Sequence, residues 1–314
     1  MPHSFDFHFH SLYSDGSLMP EGMVASAAET CPGVTHLALT DHNTYLGCER
    51  FIAACRERGI EGFVSSEISG SHPDFTHIEF HVLATFGAEW TADVARRVDL
   101  FHPHWNRLRQ VDIDNMFLWL DTAARLGMPV SYREVVRRTV RDFAEMPEPR
   151  EIGIVQPTGF GHLRKVIRER GLETKLRKDS ESLEKRVWRE GGVKPAPTLP
   201  MCGAYDIFRA AGPAVTLAHP MIYDWTMDEA RRVIGELKSE IGLGAMEVHY
   251  AGRFHPEWKV LADETGLLAS AGSDCHSSGY GGLRNNKPLA GVPVVKDDET
   301  DFDALIDFMR SGGG

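Results

Sequence analysis

Apolar and polar residues alternate strictly near the start of the chain, where residues 5–10 read FDFHFH. A period of two places alternate side chains on opposite faces of a β-strand, so His8 and His10 share one face and the phenylalanines share the other. We therefore predict a strand through His8 that presents two imidazoles at its carboxyl end.

Similar short apolar runs recur along the chain and alternate with stretches whose apolar residues follow helical spacing. The further predicted strands are Thr35–Thr40, Gly62–Glu67, Ile78–Phe86, Ala214–Leu217, Ala245–Val248 and Leu268–Ala271. The predicted helices are one that begins near Pro20 and those at Tyr45–Arg58, Met227–Ile241, Pro256–Thr265 and Phe302–Met309. Strands that alternate with helices indicate an α/β fold, and we predict a barrel.

The pattern changes in the middle of the chain. Residues 89–209 are rich in charge and helix-forming residues and contain no run that resembles a buried parallel strand. We predict that 89–209 form an inserted helical subdomain that caps the substrate, and that 1–88 and 210–314 form the barrel. A length of 314 residues accommodates one barrel with such an insertion.

Ionisable side chains follow or end most of the predicted strands, and one more lies in the turn after the first strand. The candidate metal ligands are His8, His10, Asp15, His42, Glu67, His81, His219, Asp274 and His276. Any one of them alone is more often a half-buried residue satisfied by the backbone. Their recurrence beside apolar strand ends, where unpaired polar groups are costly, predicts a shared metal site at the mouth of the barrel.

Charge and composition narrow the class of protein. The formal net charge of −11 argues against a general nucleic-acid binder, because such proteins carry basic surfaces that face the phosphates. The five cysteines are scattered and lack CxxC spacing, so we expect reduced thiols. We find neither an apolar stretch of about 20 residues nor a signal-peptide pattern, and we expect a cytoplasmic protein.

These motifs resemble those of the polymerase and histidinol phosphatase (PHP) family of metal-dependent phosphoesterases. The matching residues are His8-Phe9-His10 with Asp15, Thr40-Asp41-His42, Glu67, His81, Ala218-His219-Pro220 and Ser273-Asp274-Cys275-His276. His81 is preferred to His77 as the ligand because it begins the apolar run HVLATF. The layout most resembles the branch that has a helical insertion and acts on nucleotides and related small phosphate esters.

The resemblance implies a distorted (β/α)7 barrel that holds two or three divalent ions of Mn, Fe or Zn. It assigns His8, His10, Glu67 and Asp274 to one ion, Glu67, His81 and His219 to a second, and Asp15, His42 and His276 to a third. It gives Asp41 the role of orienting a ligand. The expected reaction is hydrolysis of a small phosphate ester by a metal-bridged hydroxide, with Asp274 in the catalytic centre.

Residues for substrate binding and proton transfer are less sharply defined. The insertion in this branch often carries an Arg-Pro-His signature, and the corresponding TGFGHLR keeps His162 without the arginine. We predict that His162 and Arg253 bind the substrate. His249 is a candidate general acid if it faces the barrel mouth after Glu247.

Several alternatives stay open at this stage. The ester is a monoester, a diester or a cyclic phosphate of a nucleotide, a nucleoside bisphosphate or a sugar. An amidohydrolase that cleaves C–N or C–O bonds uses a similar barrel, usually with a bridging lysine that these motifs lack. A non-catalytic metal-binding module is the third alternative. The expected partner is a small phosphorylated substrate, with neither a membrane nor a large nucleic acid.

Overall fold

The fold is taken from a computed structural model that describes residues 4–14, 16, 18–72, 79–93, 114, 116–135, 137–138, 160–172, 201–206, 209–276 and 299–312. The chain divides into two compact units. The first comprises Met1–His104 and Leu199–Gly314, and the second comprises Trp105–Thr198. The predicted boundaries of the barrel and the insertion, at 88/89 and 209/210, stay predictions.

The first unit is built around a curved sheet. Its strands are β1 (Phe5–Phe9), β2 (His36–Leu39), β3 (Glu61–Ser71), β4 (Glu79–Thr85), β5 (Ala214–Leu217), β6 (Leu243–Tyr250), β7 (Arg253–Phe254) and β8 (Leu268–Gly272). Strands β1 to β3 are parallel, as are β5, β6 and β8, whereas β4 runs antiparallel to both of its neighbours. The short β7 forms a hairpin with β6 at the edge of this arrangement.

Hydrogen bonds between β1 and the residues after β8 nearly close the sheet into a barrel. The backbone N–H of His10 donates to the carbonyl of Cys275 at 2.8 Å, and that of Asp274 donates to the carbonyl of His8 at 2.7 Å. Apart from the β7 hairpin, seven of the described strands take part in this barrel. The predicted distorted (β/α)7 barrel is confirmed, and antiparallel β4 is its distortion.

Helices pack around this sheet. In the first unit they are Pro20–Thr30, Cys48–Glu57, Ala88–Ala92, Met201–Asp206, Met227–Ile241, Pro256–Thr265 and Phe302–Ser311, with short 3-10 turns at Arg209–Ala211 and Pro220–Ile222. Met227–Ile241 begins at a capping box in which Thr226 and Glu229 each accept from the other's backbone N–H, and it ends at Gly242 in the left-handed conformation. None of the helices among the described residues is long and apolar enough to cross a membrane.

The alternating start of the chain explains the two-sided burial of β1. Phe5 and Phe7 pack outward into an apolar cluster with Phe302, Leu305 and the rest of the last helix. The intervening polar side chains point inward, and His8 is completely buried. Both faces of the strand are therefore covered, as in other parallel strands of α/β proteins.

Several predicted elements differ in length from the observed ones, among them β3 and the helix that follows β2. Strand β3 continues four residues beyond Glu67 to Ser71, because it pairs with β4 from Ser65 opposite Thr85 to Ser71 opposite Glu79. The sequence after Glu67 is rich in serine and glycine and gives little local strand signal. The helix predicted from Tyr45 begins at Cys48.

The second unit has an apolar core of its own. Residues 116–125 are helical, and a further helix spans Phe160–Glu169. The core consists of Met116, Trp119, Leu120, Ala123, Met128, Val130, Val135, Leu163, Val166 and Ile167. The described part of this unit is helical without strands, as predicted for the insertion.

A substitution at Gly272, at the end of β8, tests how closely β8 approaches β1. A Cβ atom at this position would collide with the Cβ of His8 and with the carboxylate of Glu247. We expect Gly272→Ala to lower the free energy of unfolding by about 1–3 kcal/mol, measured by urea denaturation, because the well-packed interior cannot absorb the added methyl group.

Gly235→Ala is the matched control for that substitution. Gly235 lies inside the helix Met227–Ile241, and a Cβ there meets no atom within 4 Å. Alanine is favoured over glycine within a helix, so we expect a gain of about 0.5–1 kcal/mol. Equal effects of the two substitutions would contradict the close approach of β8 to β1.

Candidate metal centre

The carboxyl ends of the parallel strands bring the polar residues of the site to one mouth of the barrel. His8 lies on β1 and His10 directly after it, and Glu67 lies on β3. His42, His219, Asp274 and His276 follow β2, β5 and β8. Strand β4 runs in the opposite direction, so His81 near its start reaches the same mouth.

A single carboxylate lies at the centre of the site. Five imidazole nitrogens surround Glu67, and both partners of every pair are at least three-quarters buried. Oε2 of Glu67 lies 3.2 Å from His8 Nε2, 3.2 Å from His10 Nε2 and 3.1 Å from His42 Nδ1. Its Oε1 lies 2.7 Å from His81 Nδ1 and 2.9 Å from His219 Nε2.

The two buried acids are held in their charged form. Burial raises the pKa of Glu67, but positive charge on His81, His42 and His8 outweighs burial and leaves the pKa well below its usual range. Burial likewise raises the pKa of Asp274, and His276 together with its neighbouring histidines brings it well below the usual range. The mouth of the barrel therefore offers two carboxylates ready to bind cations.

The donor atoms have the spacing of metal ligands. His8 Nε2, His10 Nε2, Glu67 Oε2 and Asp274 Oδ1 lie between 3.2 and 3.5 Å from one another in the measured pairs. Ligands about 2.1 Å from a tetrahedral ion are about 3.4 Å apart, so this set fits one ion without a change of position. Glu67 Oε2 is also buried without a hydrogen bond, which a cation would satisfy.

Three overlapping groups of donor atoms are close enough to hold a cation. The groups are His8, His10, Glu67 and Asp274; His42, Glu67 and His81; and His10, His42 and His276. His219 lies against the second group through its contact with Glu67 Oε1. The structure thus brings together eight of the nine predicted ligands, and the ninth, Asp15, lies outside the described residues.

Two of these residues have a strained backbone. His219 has φ = 31° and Asp274 has φ = 52°, a left-handed region that residues with a Cβ rarely adopt. The N–H of His219 donates to Glu247 Oε2 at 2.6 Å, and the N–H of Asp274 donates to the carbonyl of His8. These bonds hold both turns in the conformation that aims the side chains at the mouth.

Asp41 organises the turn that follows β1. Its Oδ1 accepts from the N–H of Ser11 at 2.7 Å and from the hydroxyl of Ser14 at 2.6 Å, and its Oδ2 accepts from the hydroxyl of Ser11 at 2.6 Å. The Ser14 hydroxyl is in turn 3.5 Å from His10 Nδ1. Asp41 therefore reaches a predicted ligand through Ser14.

A bulge in β6 decides which of its side chains reach the site. The pairing of β6 with β8 shifts between Glu247 and His249. As a result, His249 packs against the Phe254 ring, with its Nε2 3.1 Å from Glu299 Oε2, and is not among the donor groups of the described residues. Regular alternation would have kept His249 on the face of Glu247, and its role as a general acid stays a prediction.

Tyr250 takes the inward position instead and was missed by the sequence analysis. Its phenol O–H donates to Asp274 Oδ2 at 2.9 Å, and its ring lies edge-on to His219 at 5.5 Å. Glu247, also unpredicted as a site residue, contacts His8 Nδ1 at 3.0 Å. Neither glycine nor proline lies between Glu247 and Tyr250, so the local residue pattern does not predict the bulge.

The two predicted substrate-binding residues lie in different units. Arg253 is exposed on β7 directly opposite Tyr250, and it has no hydrogen bond or ion pair with a described residue. His162 lies on the helix Phe160–Glu169 of the second unit and is buried. Their roles in substrate binding stay predictions.

Comparison with known proteins identifies the family. A model of the PHP domain matches residues 6–137. Residues 6–137 therefore match a PHP domain. This finding confirms the family predicted from the motifs, and the match includes the predicted ligands from His8 to His81.

Two curated relatives align over most of the PHP protein. A 5'-3' exoribonuclease of Haemophilus influenzae is 27% identical over 292 residues, which cover 88% of this chain and 91% of the relative. A 3',5'-nucleoside bisphosphate phosphatase of Chromobacterium violaceum is 28% identical over 285 residues, which cover 89% of each. Both names describe hydrolysis of phosphate esters, in agreement with the predicted class of enzyme.

A solved structure shares the fold. It comes from Chromobacterium violaceum, is described as an amidohydrolase with bound sulfate and no metal, and superposes with a TM-score of 0.65. The sequences are 20% identical, and the alignment covers 95% of this chain and 97% of that protein. At this identity the likeness concerns the fold of the PHP protein rather than its activity.

The bond from Tyr250 to Asp274 is expected to strengthen metal binding. Tyr250→Phe removes the O–H that orients the carboxylate, and loss of such an outer contact lowers metal affinity by about tenfold or more. Isothermal titration with Mn²⁺ measures the change. Tyr205→Phe is the control, since Tyr205 lies against Arg209 and away from the ligands. Equal Mn²⁺ affinity of the Tyr250→Phe variant and the wild type would contradict this role.

Proposed function

We propose that this PHP-domain protein is a phosphoesterase that uses divalent metal ions, of Mn, Fe or Zn, to hydrolyse small phosphate esters of the nucleotide class. The observation that carries the proposal is the buried Glu67 carboxylate with imidazole nitrogens on both of its oxygens. Ligands shared in this way suit adjacent cations, and such clusters are typical of enzymes that cleave phosphate esters.

The residues assigned to the ions are those of the three donor groups. His8, His10, Glu67 and Asp274 would hold one ion, Glu67, His42, His81 and His219 would surround a second, and His10, His42 and His276 would contribute to a third. Asp15 is proposed as a further ligand. Bound ions would supply Lewis acidity for the phosphoryl oxygens and lower the pKa of water.

The side chains of the protein would bind the ions and orient the ligands around them. The buried carboxylates and the imidazoles would hold the ions, and the O–H of Tyr250 fixes the orientation of Asp274. The formal net charge of −11 repels anions at long range. Phosphate binding therefore depends on local positive charge at the mouth, and a small substrate is favoured over a long nucleic acid.

Arg253 is proposed as the residue that binds the phosphate from the protein side. It pairs with Tyr250 across the β6–β7 hairpin, and directly opposed residues of antiparallel strands project from the same face. Tyr250 points at Asp274 from that face. A guanidinium beside it, with no described acid to pair with, suits bidentate binding of a phosphate.

The names of the relatives guide the choice within this class of substrates. One relative is a nucleoside bisphosphate phosphatase and another is an exoribonuclease, so both act on phosphate esters of nucleotides. We infer a nucleotide end as the group that this chain recognises. The role of His162, which is buried within the second unit, in substrate binding stays a prediction.

Phosphate release is the measurement that tests the function. We expect the Mn²⁺-loaded protein to release phosphate from a panel of nucleoside monophosphates, 3',5'-bisphosphates, cyclic phosphates, sugar phosphates and short 5'-phosphorylated RNAs, and chelation by EDTA to abolish it. We expect His81→Asn and Asp274→Asn to lower kcat at least about 100-fold, as is usual when a metal ligand or its charge is lost.

His36→Asn is the control for these substitutions. His36 begins β2 at the opposite end of the barrel and pairs with Glu61. We expect this variant to keep the activity of the wild type. Release of phosphate that persists in both ligand variants, or no release from any ester by metal-loaded protein, would overturn the proposed function. Cleavage of amides in place of esters would favour the amidohydrolase alternative.

The role of Arg253 leads to a separate prediction. We expect Arg253→Ala to raise KM about 10-fold or more, because a hydrogen-bonded contact between ions contributes about 1.5–3 kcal/mol. Arg253→Lys keeps the charge but loses the bidentate geometry. We expect its KM to lie between the KM of the wild type and that of Arg253→Ala. An unchanged KM for both variants on the best ester of the panel would exclude a contact with the phosphate.

A further inference from the structure

Glu247 lies beneath the metal centre and contacts two of its histidines without belonging to any of the donor groups found among the described residues. The residue is completely buried on β6. Its Oε1 lies 3.0 Å from His8 Nδ1, and its Oε2 accepts from the backbone N–H of His219 at 2.6 Å. Each oxygen of this carboxylate therefore serves a different ligand.

The contact with His8 determines which ring nitrogen carries the proton. Carboxylate oxygens accept hydrogen bonds, so in the neutral ring that binds a metal the nitrogen that faces Glu247, Nδ1, is the donor. The other nitrogen, Nε2, lies 3.2 Å from Glu67 Oε2 and 3.2 Å from His10 Nε2, within the first donor group. With the proton on Nδ1, the Nε2 lone pair is directed at that group.

The contact with His219 acts on the backbone. His219 has φ = 31°, a left-handed conformation that is unfavourable for a residue with a Cβ atom. The short bond from its N–H to Glu247 Oε2 holds the turn in place. The same turn aims His219 Nε2 at Glu67 Oε1, 2.9 Å away.

We propose that Glu247 is a positioning residue that selects the metal-binding tautomer of His8 and at the same time holds the turn of His219. The inference rests on the proposed function only in that divalent ions bind at the cluster. Gly272 makes the arrangement possible, because any side chain there would collide with both His8 and Glu247.

The proposed role requires that both side-chain oxygens of Glu247 accept hydrogen bonds. A residue that only filled space in the core would not need two acceptors. Glutamine has the same shape but offers one acceptor and one donor. If its carbonyl faces the N–H of His219, its amide group faces Nδ1 of His8 and favours the tautomer that protonates Nε2. If the amide is turned around, its N–H groups meet the N–H of His219. The first orientation of the amide therefore disturbs His8, and the second disturbs the turn of His219.

Metal binding by Glu247→Gln is the direct test. We expect the dissociation constant for Mn²⁺, measured by calorimetry, to rise about 10- to 100-fold, as is usual for loss of an outer partner of a ligand histidine. We also expect altered intensity of the d–d absorption bands of the Co²⁺-loaded protein. The thermal unfolding of the metal-free protein should change far less than the metal-induced increase in Tm.

Asp6→Asn is the matched control. Asp6 is another completely buried acid, two residues from His8, and its Oδ1 accepts from the backbone N–H groups of His8 and Ser273 rather than from a ligand side chain. Asparagine retains that oxygen. We expect the Mn²⁺ affinity of this variant to stay within about threefold of the wild type, since no ligand side chain loses an acceptor.

A second measurement needs no substitution at Glu247. In the Zn²⁺-loaded wild type labelled with ¹⁵N-histidine, the His8 ring should show a protonated Nδ1 and a metal-bound Nε2, with the signal assigned by its loss in His8→Gln. Nδ1 bound to metal, or wild-type Mn²⁺ affinity of Glu247→Gln, would overturn the role of Glu247. Failure of the wild type to bind any divalent ion would instead overturn the proposed function.

Discussion

Compensation of the buried charge on Glu67 is the constraint on which the site depends. A carboxylate with no exposed surface is stable only if surrounding groups replace the water that it loses. Five imidazoles from four segments of the chain supply that compensation, with His8 and His10 both in the first segment. Divalent cations held by the shared donor groups would compensate the same charge.

This constraint accounts for the irregular parts of the barrel. Strand β4 runs against its neighbours, and this direction brings His81 to the mouth near the start of the strand. The left-handed turns at His219 and Asp274 shorten the path from strand to ligand. The close approach of β8 to β1, with glycine at 272, brings Asp274 beside His8. Strain and close packing thus concentrate where the ligands converge, as is common at functional sites.

Much of this arrangement could be predicted from the sequence because it follows local periodicity. The alternation of phenylalanine and histidine in β1 fixed the face of His8 and His10, and the apolar runs located most of the strands. The long-range features could not be predicted in this way. Extension of β3 to Ser71 depends on pairing with β4, and the inward position of Tyr250 depends on a bulge that arises from pairing with β8. Neither has a signature in the local residue pattern.

The bulge in β6 also separates two kinds of side chain on one strand. Glu247 lies below the ligands in a space that excludes water, where a charge is useful only if both of its oxygens are bonded. Tyr250 lies three residues further along, is partly exposed, and leads through a two-residue turn to Arg253. Three kinds of side chain therefore follow one another along the hairpin. Glu247 holds the ligand histidines, Tyr250 contacts the carboxylate of Asp274, and Arg253 faces the solvent. In a protein with a net negative charge, this order places the positive group of the hairpin at the exposed end of the strand and keeps the carboxylate of Glu247 behind the ligand histidines.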